Sequence, residues 1–471
     1  MHNQTSLERY FRLNEHNTSI RTEILAGITT FITIAYILVL NPQILSDPYV
    51  ITGDAAMATK VSNGVFIGTC IASFIGTILV SLYAKLPFAQ APGMGLNAFF
   101  AYTVVLTMGY TYSQALVVVF LSGIFFIVIT KIGLREAIIR SIPNCVKHAI
   151  TPGIGLFITI IGLKNSGIVV SNSATLVSMV DFSLWRTPGA DTTALRTALV
   201  AFIGLVSMGV LHVKNVRGSI FVGILISTVA GIPLGVTSVS EIDFNISQKF
   251  ADFMEISLFN LDFSGLIRGD AIIESLFTVF MLVISFSLVN MFDSIGTLLG
   301  AAKQSNMLDE NGEVINMKQA LMSDAISTAA GALLGTSTVT TMVESSAGIA
   351  AGGRTGLTSL TTSLLFLASV IFAPVVGIIP SAATAPALIF VGILMMSNVK
   401  DVDFGSMDNA LPAFCTIVFM PFTYSIANGI ALGLITYCLI QLLTGKWKKI
   451  NPLTASVAII FIIRYAFMTL G

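Results

Sequence analysis

Charged side chains are scarce in this sequence of 471 residues. Asp, Glu, Lys and Arg make up 10% of it, whereas soluble domains typically contain about 25%. Lys and Arg together number 24, as do Asp and Glu, so the net charge is zero. With no long basic run, a nucleic-acid partner is not expected. Because hydrophobic residues reach 55%, the composition excludes a soluble globular protein and predicts an all-α polytopic membrane protein.

Cysteine and histidine are also sparse, with four residues of each. The cysteines stand singly in or beside apolar segments, and there is no CxxC pair, no HExxH motif and no GxSxG motif. We therefore interpret the cysteines as packing residues and expect no metal site, no cofactor and no enzymatic activity. The first 21 residues lack the apolar run of a secretory signal, which predicts a cytosolic N-terminus.

About fourteen apolar stretches lie between residues 24 and 443, and a further one lies near 453–469. Those around Gly95 and Gly348 are shorter than the ~20 residues of a full helical span. The acid-rich connection 236–271 is interpreted as external, because the cations between other segments then fall on one side. These cations form four groups: Arg9, Arg12 and Arg21; Lys131, Arg135, Arg140 and Lys147; Lys214 and Arg217; and Lys446, Lys448 and Lys449. For the 453–469 stretch, an extra span, an interfacial helix and a packed tail all stay open.

Two short, small-residue segments indicate that the chain is built twice. Residues 86–100 contain an extended run, then Pro92 and a half-helix, and residues 336–353 contain a β-branched run and a similar half-helix. With about seven segments in each half, the second copy enters the membrane in the opposite sense, which gives two inverted repeats. Extended backbone at membrane depth must be buried in protein or line a cavity, so residues 87–91 and 337–342 are expected to meet.

Two acids within apolar segments mark a candidate site, Asp293 in SLVNMFDSIGTLLG and Glu344 in STVTTMVESSAGIAAGG. An ionised carboxylate at bilayer depth costs roughly 2.5–3.5 kcal/mol, so each needs a partner, a proton or a water-lined cavity. The half-helices that open near Gly93 and Ser345 add unpaired N–H groups, and Asn97 lies one turn beyond Gly93. This mixture of donors and acceptors suits a planar ligand rich in ring nitrogens and carbonyls.

Each of these polar residues also has a structural interpretation. Glu344 can cap a helix, Asp293 can anchor to Ser294 or Thr297, and Asn97 can join two segments. For two further residues the structural interpretation is preferred.

These two residues are Arg354 and Asp324. Arg354 is expected to end a half-helix rather than to form a gating pair. Asp324 is expected to open the ninth segment, and it can there bind a backbone end or couple to Arg354.

Five stretches resemble one known family. They are RTEILAGITTFITIAYILVLNPQIL (21–45), APGMGLNAFFAYTVV (91–105), ITPGIGLFITIIGLKNSG (150–167), NMFDSIGTLLG (290–300) and VESSAGIAAGGRTGL (343–357). Together they resemble the AzgA-like branch of the nucleobase-cation symporter-2 family over essentially the whole chain. The resemblance implies proton-coupled transport of hypoxanthine, guanine or adenine by an elevator movement. It also implies fourteen segments in two inverted repeats of seven, with short extended strands before the half-helices of segments 3 and 10.

The resemblance further implies a core domain that carries the substrate and a gate domain that provides oligomeric contacts, so a homodimer through the gate domains is compatible with it. Each domain is formed by two separate stretches of the chain. The implied divisions are a cytosolic N-terminal segment (1–23), the first core stretch with segments 1–4 (24–131), the first gate stretch with segments 5–7 (141–235), the external loop (236–271), the second core stretch with segments 8–11 (272–376), the second gate stretch with segments 12–14 (384–443) and a C-terminal segment (444–471).

Site roles follow the same resemblance. Asp293 is similar to the substrate-contacting acid of segment 8, Glu344 to the second binding acid of segment 10, and Asn97 to the polar position of segment 3. Phe88 either packs or stacks on a purine ring. The expected substrate-binding set is Asp293, Glu344, Asn97, Phe88, Gly95, Thr341 and Ser345. Glu344 and Asp293 are the proton-coupling candidates, and the choice between them stays open because close carboxylates titrate as a pair.

The sequence therefore predicts a secondary transporter of the cell membrane that imports purine nucleobases together with protons. It does not select among the purines. One alternative is an anion transporter of the same architecture, such as a sulfate or bicarbonate carrier, against which two acids in the pocket argue. The other is an intramembrane enzyme, which lacks a nucleophile with an activating histidine at membrane depth.

Overall fold

The computed structural model shows a bundle of helices with two small antiparallel strand pairs. It describes residues 6–133, 141–186, 191–238, 245–266, 272–304, 307 and 314–468. In these ranges the α-helices are α1 (Ser6–Tyr10), α2 (Ile20–Ile34), α3 (Ile37–Thr52), α4 (Ala55–Leu79), α5 (Met94–Ala98), α6 (Tyr112–Lys131), α7 (Asn144–Asn165), α8 (Thr193–Val213), α9 (Ser219–Gly231), α10 (Ile246–Asp252), α11 (Ile272–Gln304), α12 (Met317–Leu333), α13 (Ser345–Ala350), α14 (Gly356–Ala368), α15 (Ala373–Val376), α16 (Ser381–Met396), α17 (Met407–Phe422), α18 (Ile426–Leu443) and α19 (Pro452–Met468).

The strands and shorter helical turns complete the described elements. The strands are β1 (Gln90–Pro92), β2 (Val169–Asn172), β3 (Leu176–Met179) and β4 (Val339–Thr341). The π-helical turns are Val80–Ala84, Phe99–Thr107 and Phe253–Ser257, and the 3-10 turns are Phe182–Arg186, Ser369–Phe372, Ser397–Asp401 and Trp447–Lys449.

Within the described ranges, eight helical stretches are long and apolar enough to cross a membrane. They are Ile20–Thr52, Ala55–Ala84, Tyr112–Lys131, Asn144–Asn165, Thr193–Val213, Ile272–Met291, Ser381–Asp401 and Ile426–Leu443. Shorter apolar helices are Met94–Thr107, Ser219–Gly231, Gly356–Phe372, Met407–Phe422 and Pro452–Ile463. The chain is therefore a helical polytopic membrane protein, while the count of about fourteen segments stays a prediction.

Polar side chains at the helix starts explain several boundaries. The Asp54 carboxylate accepts the Met57 N–H at 3.0 Å and so caps α4. Thr111 and Gln114 form a reciprocal capping box at the start of α6. Between α3 and α4, Gly53 takes a left-handed conformation with φ 84°, which glycine adopts without a Cβ clash.

The first long span is interrupted at its middle. Helix α2 ends at Ile34 and α3 begins at Ile37, which leaves Ala35 and Tyr36 between them. Pro42 has no N–H to donate to the Leu38 carbonyl, so the first turn of α3 loses one of its hydrogen bonds. Tyr36 is fully buried at this break.

The two predicted extended runs do meet. Strands β1 and β4 pair antiparallel, with the register Gln90 to Thr341, Ala91 to Thr340 and Pro92 to Val339. Two bonds extend the pairing, from the Gly93 N–H to the Thr338 carbonyl at 3.1 Å and from the Met342 N–H to the Ala89 carbonyl at 2.9 Å. All residues of both strands are buried, so their backbone groups are satisfied by each other rather than by water. Helices α5 and α13 begin directly beyond this crossing.

A buried polar network supports the crossing from one side. The Gln90 side chain donates to Asp324 at 2.6 Å and accepts from Ser327 at 2.6 Å. The Thr341 hydroxyl also donates to Asp324, at 2.9 Å. Asp324 lies inside α12 rather than at its start. The expectation that it opens this segment is therefore wrong, and two strand residues, Gln90 and Thr341, donate hydrogen bonds to it.

The helices pack in two groups. Helices α2, α3, α4, α6 and α11 to α14 pack mainly against one another, and helices α7, α8, α9, α16, α17 and α18 do the same. The groups touch where α5 and α11 meet α7, where α2 meets α9, where α3 meets α16 and where α11 meets α18. The candidate site belongs to the first group, on the side that faces α7.

The connection 236–271 contains more structure than the expected loop. Within its described residues, α10 packs against α4. Lys249 donates to the Asn63 side chain at 2.9 Å, and Asn63 donates to the Asp252 carboxylate at 2.8 Å. Lys249 and Asp252 are both buried, so these bonds compensate their charges at the end of the helix bundle.

Candidate functional site

The strand crossing brings α5, α11 and α13 together. Helix α5 follows Gly93, and α11 presents Asp293 beside this point. A Cβ atom added to Gly93 would lie 3.0 Å from Thr340 Cγ2 and 3.6 Å from Asp293 Oδ2. Glycine thus permits the backbone at the start of α5 to approach the Asp293 carboxylate closely.

Glu344 occupies the N-cap position of α13, but its side chain makes no capping bond. Its Oε1 atom accepts a hydrogen bond of 2.6 Å from the Tyr36 hydroxyl. Its Oε2 atom is buried and has no hydrogen-bond partner among the described residues. The helix-capping interpretation is therefore wrong, because the carboxylate turns away from its own helix and toward α3.

Asn97 is the second polar group without partners. Its side chain is fully buried, and neither Oδ1 nor Nδ2 has a hydrogen-bond partner within the described ranges. The Asn97 N–H donates to the Gly93 carbonyl at 2.9 Å, so both residues lie on the same face of the half-helix. The inter-segment bond considered for this amide is absent there. Leaving a buried amide unpaired costs about 1–3 kcal/mol, which indicates a role other than folding.

Asp293 is partly buried, and the described residues give its carboxylate no hydrogen-bond partner. The proposed anchor to Ser294 is wrong, because the Ser294 hydroxyl donates to the Asn290 carbonyl at 2.9 Å and lies 2.8 Å from Thr340 Oγ1. Asp324 and Glu344 are close enough for their charges to act on Asp293. The site therefore concentrates acidic groups.

The described residues place no compensating cation beside these groups. Within the described ranges, no Lys or Arg side chain forms an ion pair with Asp293 or Glu344. The same residues include no cluster of three His, Cys, Asp or Glu side chains that could bind a metal ion. Such a site can bind a neutral ligand with several N–H donors, or a proton, and it repels anions.

Two predicted residues are already engaged at the crossing. Successive strand residues point to opposite faces, so Thr341 faces Asp324 whereas Thr340 faces Ser294, next to Asp293. The Ser345 hydroxyl accepts the N–H of Ala89 at 3.0 Å and ties α13 to β1. The structure thus does not bring the Thr341 hydroxyl to the side occupied by Asp293.

The other two predicted residues serve packing contacts. A Cβ atom on Gly95 would lie 2.5 Å from Ile154 Cγ2, so Gly95 lets α5 approach α7. Phe88 is fully buried, and its carbonyl accepts the Ser359 hydroxyl at 2.9 Å. Neither residue has a polar side chain to offer the site, and their contact with a substrate stays a prediction.

Arg354 ends α13, as the structural interpretation predicted. Its guanidinium donates to the Ile349 carbonyl at 2.6 Å and to the Gly353 carbonyl at 2.7 Å. These bonds satisfy carbonyls at the C-terminal end of the half-helix.

Sequence reasoning missed Tyr36 altogether. It is the only tyrosine in the apolar stretch 24–44. A phenol hydroxyl at mid-span needs a hydrogen-bond partner just as a carboxylate does, and that signal could have been used. The partner itself lies 308 residues away, so the pairing with Glu344 was not readable.

A second missed cluster joins the two helix groups. Asp47 on α3 accepts hydrogen bonds from the Tyr102 hydroxyl and from the Asn165 amide of α7. Nearby, the Gln43 amide accepts from Thr384 and donates to the Ile379 carbonyl at 2.7 Å. A small cleft lies between Gln43, Asp47, Asn165 and Thr384.

The chain is similar in sequence to known permeases. The family model Xan_ur_permease, described as "Permease family", matches residues 21–432. The chain is 39% identical over 468 residues to the adenine permease AdeP of Escherichia coli, which covers 99% of this chain and 97% of that protein. It is 40% identical over 458 residues to the guanine/hypoxanthine permease PbuO of Bacillus subtilis, covering 96% and 99% respectively.

Among solved structures, the fold is similar to the transmembrane domain of a cyanobacterium bicarbonate transporter, BicA. The TM-score is 0.59 at 17% sequence identity, over 87% of this chain and 97% of that chain. At this identity the likeness shows a shared fold and nothing about the ligand.

Proposed function

Because this chain belongs to the permease family that its sequence matches, the nucleobase-cation symporter-2 family, we propose that it imports purine nucleobases with protons. One observation carries the proposal: among the described residues, the Glu344 Oε2 atom and the Asn97 amide lack hydrogen-bond partners at the crossing where Asp293 also lies. The names of AdeP and PbuO favour adenine, guanine or hypoxanthine as the substrate.

A purine base matches these groups chemically. Its ring N–H and amino groups can donate to Glu344 and Asp293, and the Asn97 amide can both donate and accept. The base is neutral, so its binding adds no charge to a site that already holds two acids. Hydrogen bonds to charged groups contribute about 1.5–3 kcal/mol each, which is enough for selective binding of a small planar ligand.

The same acids account for proton coupling. Two nearby carboxylates without a cation repel each other, and one bound proton removes that repulsion. We propose that the proton binds the Asp293 and Glu344 pair and travels with the base. Because the two groups interact, the proton is assigned to the pair rather than to either residue.

The movement we propose is an elevator. The first helix group acts as a core that carries the site and the second as a gate, in fourteen segments arranged as two inverted repeats. The contact of Gly95 with Ile154 lies at the boundary between the groups, and the fold shared with BicA supports this architecture. We further propose a cytosolic N-terminus, a place in the cell membrane and a homodimer through the gate helices.

An anion transporter of the same fold is the rival function. Transport assays with purified protein in liposomes separate the two. We expect radiolabelled adenine, guanine or hypoxanthine to accumulate when the outer solution is acidic, and a protonophore to abolish the accumulation. Labelled sulfate and bicarbonate should not accumulate. Accumulation of an anion without any purine uptake would overturn the proposal.

A further inference from the structure

The Tyr36 hydroxyl divides the Glu344 carboxylate into two unequal oxygens. Oε1 accepts the short 2.6 Å bond from Tyr36, whereas Oε2 is buried without a partner among the described residues. Tyr36 itself is fully buried, so water does not compete for its single proton. In this geometry Glu344 presents one free acceptor oxygen to the site instead of two.

The packing of the two elements that carry this pair is tight. Helix α13 lies against α2, where a Cβ atom on Gly348 would come within 1.9 Å of Thr30 Oγ1 and 2.7 Å of the Ala26 carbonyl. Such a close approach fixes the distance between the start of α13 and the break that follows α2. The hydrogen bond between Tyr36 and Glu344 is therefore held by the helix packing and not by flexible side chains alone.

The number of free oxygens determines which donors a carboxylate can bind. A carboxylate with both oxygens free can accept two parallel N–H groups at once. Guanine offers such a pair in its N1–H and 2-amino groups, whereas hypoxanthine, which lacks the 2-amino group, offers N1–H alone. An oxygen that already accepts a short bond is a poorer acceptor for a second donor.

We propose that Tyr36 is a specificity-determining residue that, by holding Oε1 of Glu344, restricts this acid to one N–H of the base and so disfavours guanine relative to hypoxanthine. This inference rests on the proposed function of the same site. It gives Tyr36 a role in binding, in addition to the groups predicted from the sequence, which are Asp293, Glu344 and Asn97.

The test compares two tyrosines that each donate one buried hydrogen bond. Tyr36→Phe removes the bond to Glu344, and Tyr112→Phe removes a 2.7 Å bond to the Gly335 carbonyl. Affinities for guanine and hypoxanthine are measured on the purified protein by ligand-induced thermal stabilisation, which does not require transport. Tyr36→Met serves as a second variant without the hydroxyl, in case the Tyr36→Phe protein is not monodisperse.

In the Tyr36 variants we expect affinity for guanine relative to hypoxanthine to rise about tenfold, the effect of one added hydrogen bond to a charged group. In Tyr112→Phe the ratio should stay unchanged, even if both affinities fall together. An unchanged ratio in both Tyr36 variants, with both bases still bound, would overturn this inference and leave the proposed function intact. If the native protein binds neither base, the proposed function itself fails.

Discussion

Two buried glutamates in this protein lie at the starts of helices and yet have opposite surroundings. The Glu23 carboxylate accepts five hydrogen bonds: from the backbone N–H groups of Arg354, Thr355 and Thr358 and from the hydroxyls of Thr355 and Thr358. These donors surround the start of α14. Glu344 accepts a single side-chain bond at the start of α13.

The difference separates a structural acid from a site acid. Glu23 is fully buried, but its charge is compensated by donors and by a helix N-terminus, so it fixes α2 against α14. Glu344 leaves one oxygen unpaired, within the described residues, in a similarly buried place. Burial therefore does not distinguish the two roles, whereas the number of hydrogen bonds to each carboxylate does.

The side-chain amides of Asn41 and Asn97 differ in their hydrogen bonds in the same way as the two glutamates. The Asn41 Nδ2 group donates to Thr69 at 2.6 Å and to Thr336 at 2.8 Å, and so connects α3 to α4 and to the chain before β4. Asn97 is equally buried and makes no such bond among the described residues. The Asn41 Nδ2 group thus joins helices, whereas Asn97, beside the strand crossing, has neither its Nδ2 nor its Oδ1 atom partnered among the described residues.

Glu23→Ala is expected to give the largest effect. It leaves several donors at the start of α14 without an acceptor, which should lower stability by about 3–5 kcal/mol. Thermal unfolding of the purified protein, together with the yield of monodisperse material, measures this loss. Protein that does fold should bind hypoxanthine with native affinity, and a selective loss of binding at native stability would show that Glu23 belongs to the site.

Glu344→Gln should have the opposite effect to Glu23→Ala, with a loss of binding and little loss of stability. Gln keeps an oxygen for the Tyr36 hydroxyl but loses the charge, so hypoxanthine affinity should fall about a hundredfold while the unfolding temperature stays close to native. Titration of hypoxanthine against the native and variant proteins checks this. Native affinity in the variant would remove Glu344 from the site.

Asn97 and Asn41 should show the same contrast between loss of binding and loss of stability, with smaller effects. Asn97→Ala should weaken hypoxanthine binding by about tenfold without loss of stability, because it breaks no side-chain hydrogen bond among the described residues. Asn41→Ala should lower stability by about 1–3 kcal/mol and leave affinity unchanged. Parallel melting and binding curves compare them, and loss of stability in Asn97→Ala alone would reverse the two assignments.

The smallest effect is expected at the boundary between the helix groups. Asn165→Ala removes the α7 amide that donates to Asp47 at 3.3 Å and to the Tyr102 hydroxyl at 3.2 Å. If the groups move against each other, the maximal uptake rate should change by about two- to fivefold, as for two weak hydrogen bonds, with the half-saturating concentration unaltered. A change confined to that concentration would place Asn165 in the binding site.

The sequence was sufficient to identify the acids and the crossing. Asp293 and Glu344 stand out because a charge at membrane depth is costly, and Pro92 with the β-branched run around Val339 marks the two strands. Their pairing follows because extended backbone in a membrane has to find hydrogen bonds within the protein. These are local signals with a physical cost attached.

Partners of the buried groups were not predictable. Tyr36 lies 308 residues from Glu344, and Glu23 lies more than 330 residues from the threonines that surround it. For Asp324 a backbone end and Arg354 were considered as partners, whereas Gln90 was not; Gln90 donates to it because the strand pairing places Gln90 beside α12. Composition shows that a polar group needs a partner, whereas only the fold shows which partner it has and which group has none.

The central claim is that Glu344 contacts the base and shares the transported proton with Asp293. It is tested most directly by enclosing a pH-sensitive dye in proteoliposomes and adding hypoxanthine outside. We expect hypoxanthine to acidify the lumen with the native protein and not with Glu344→Gln. Equal hypoxanthine-dependent acidification with both proteins would contradict it.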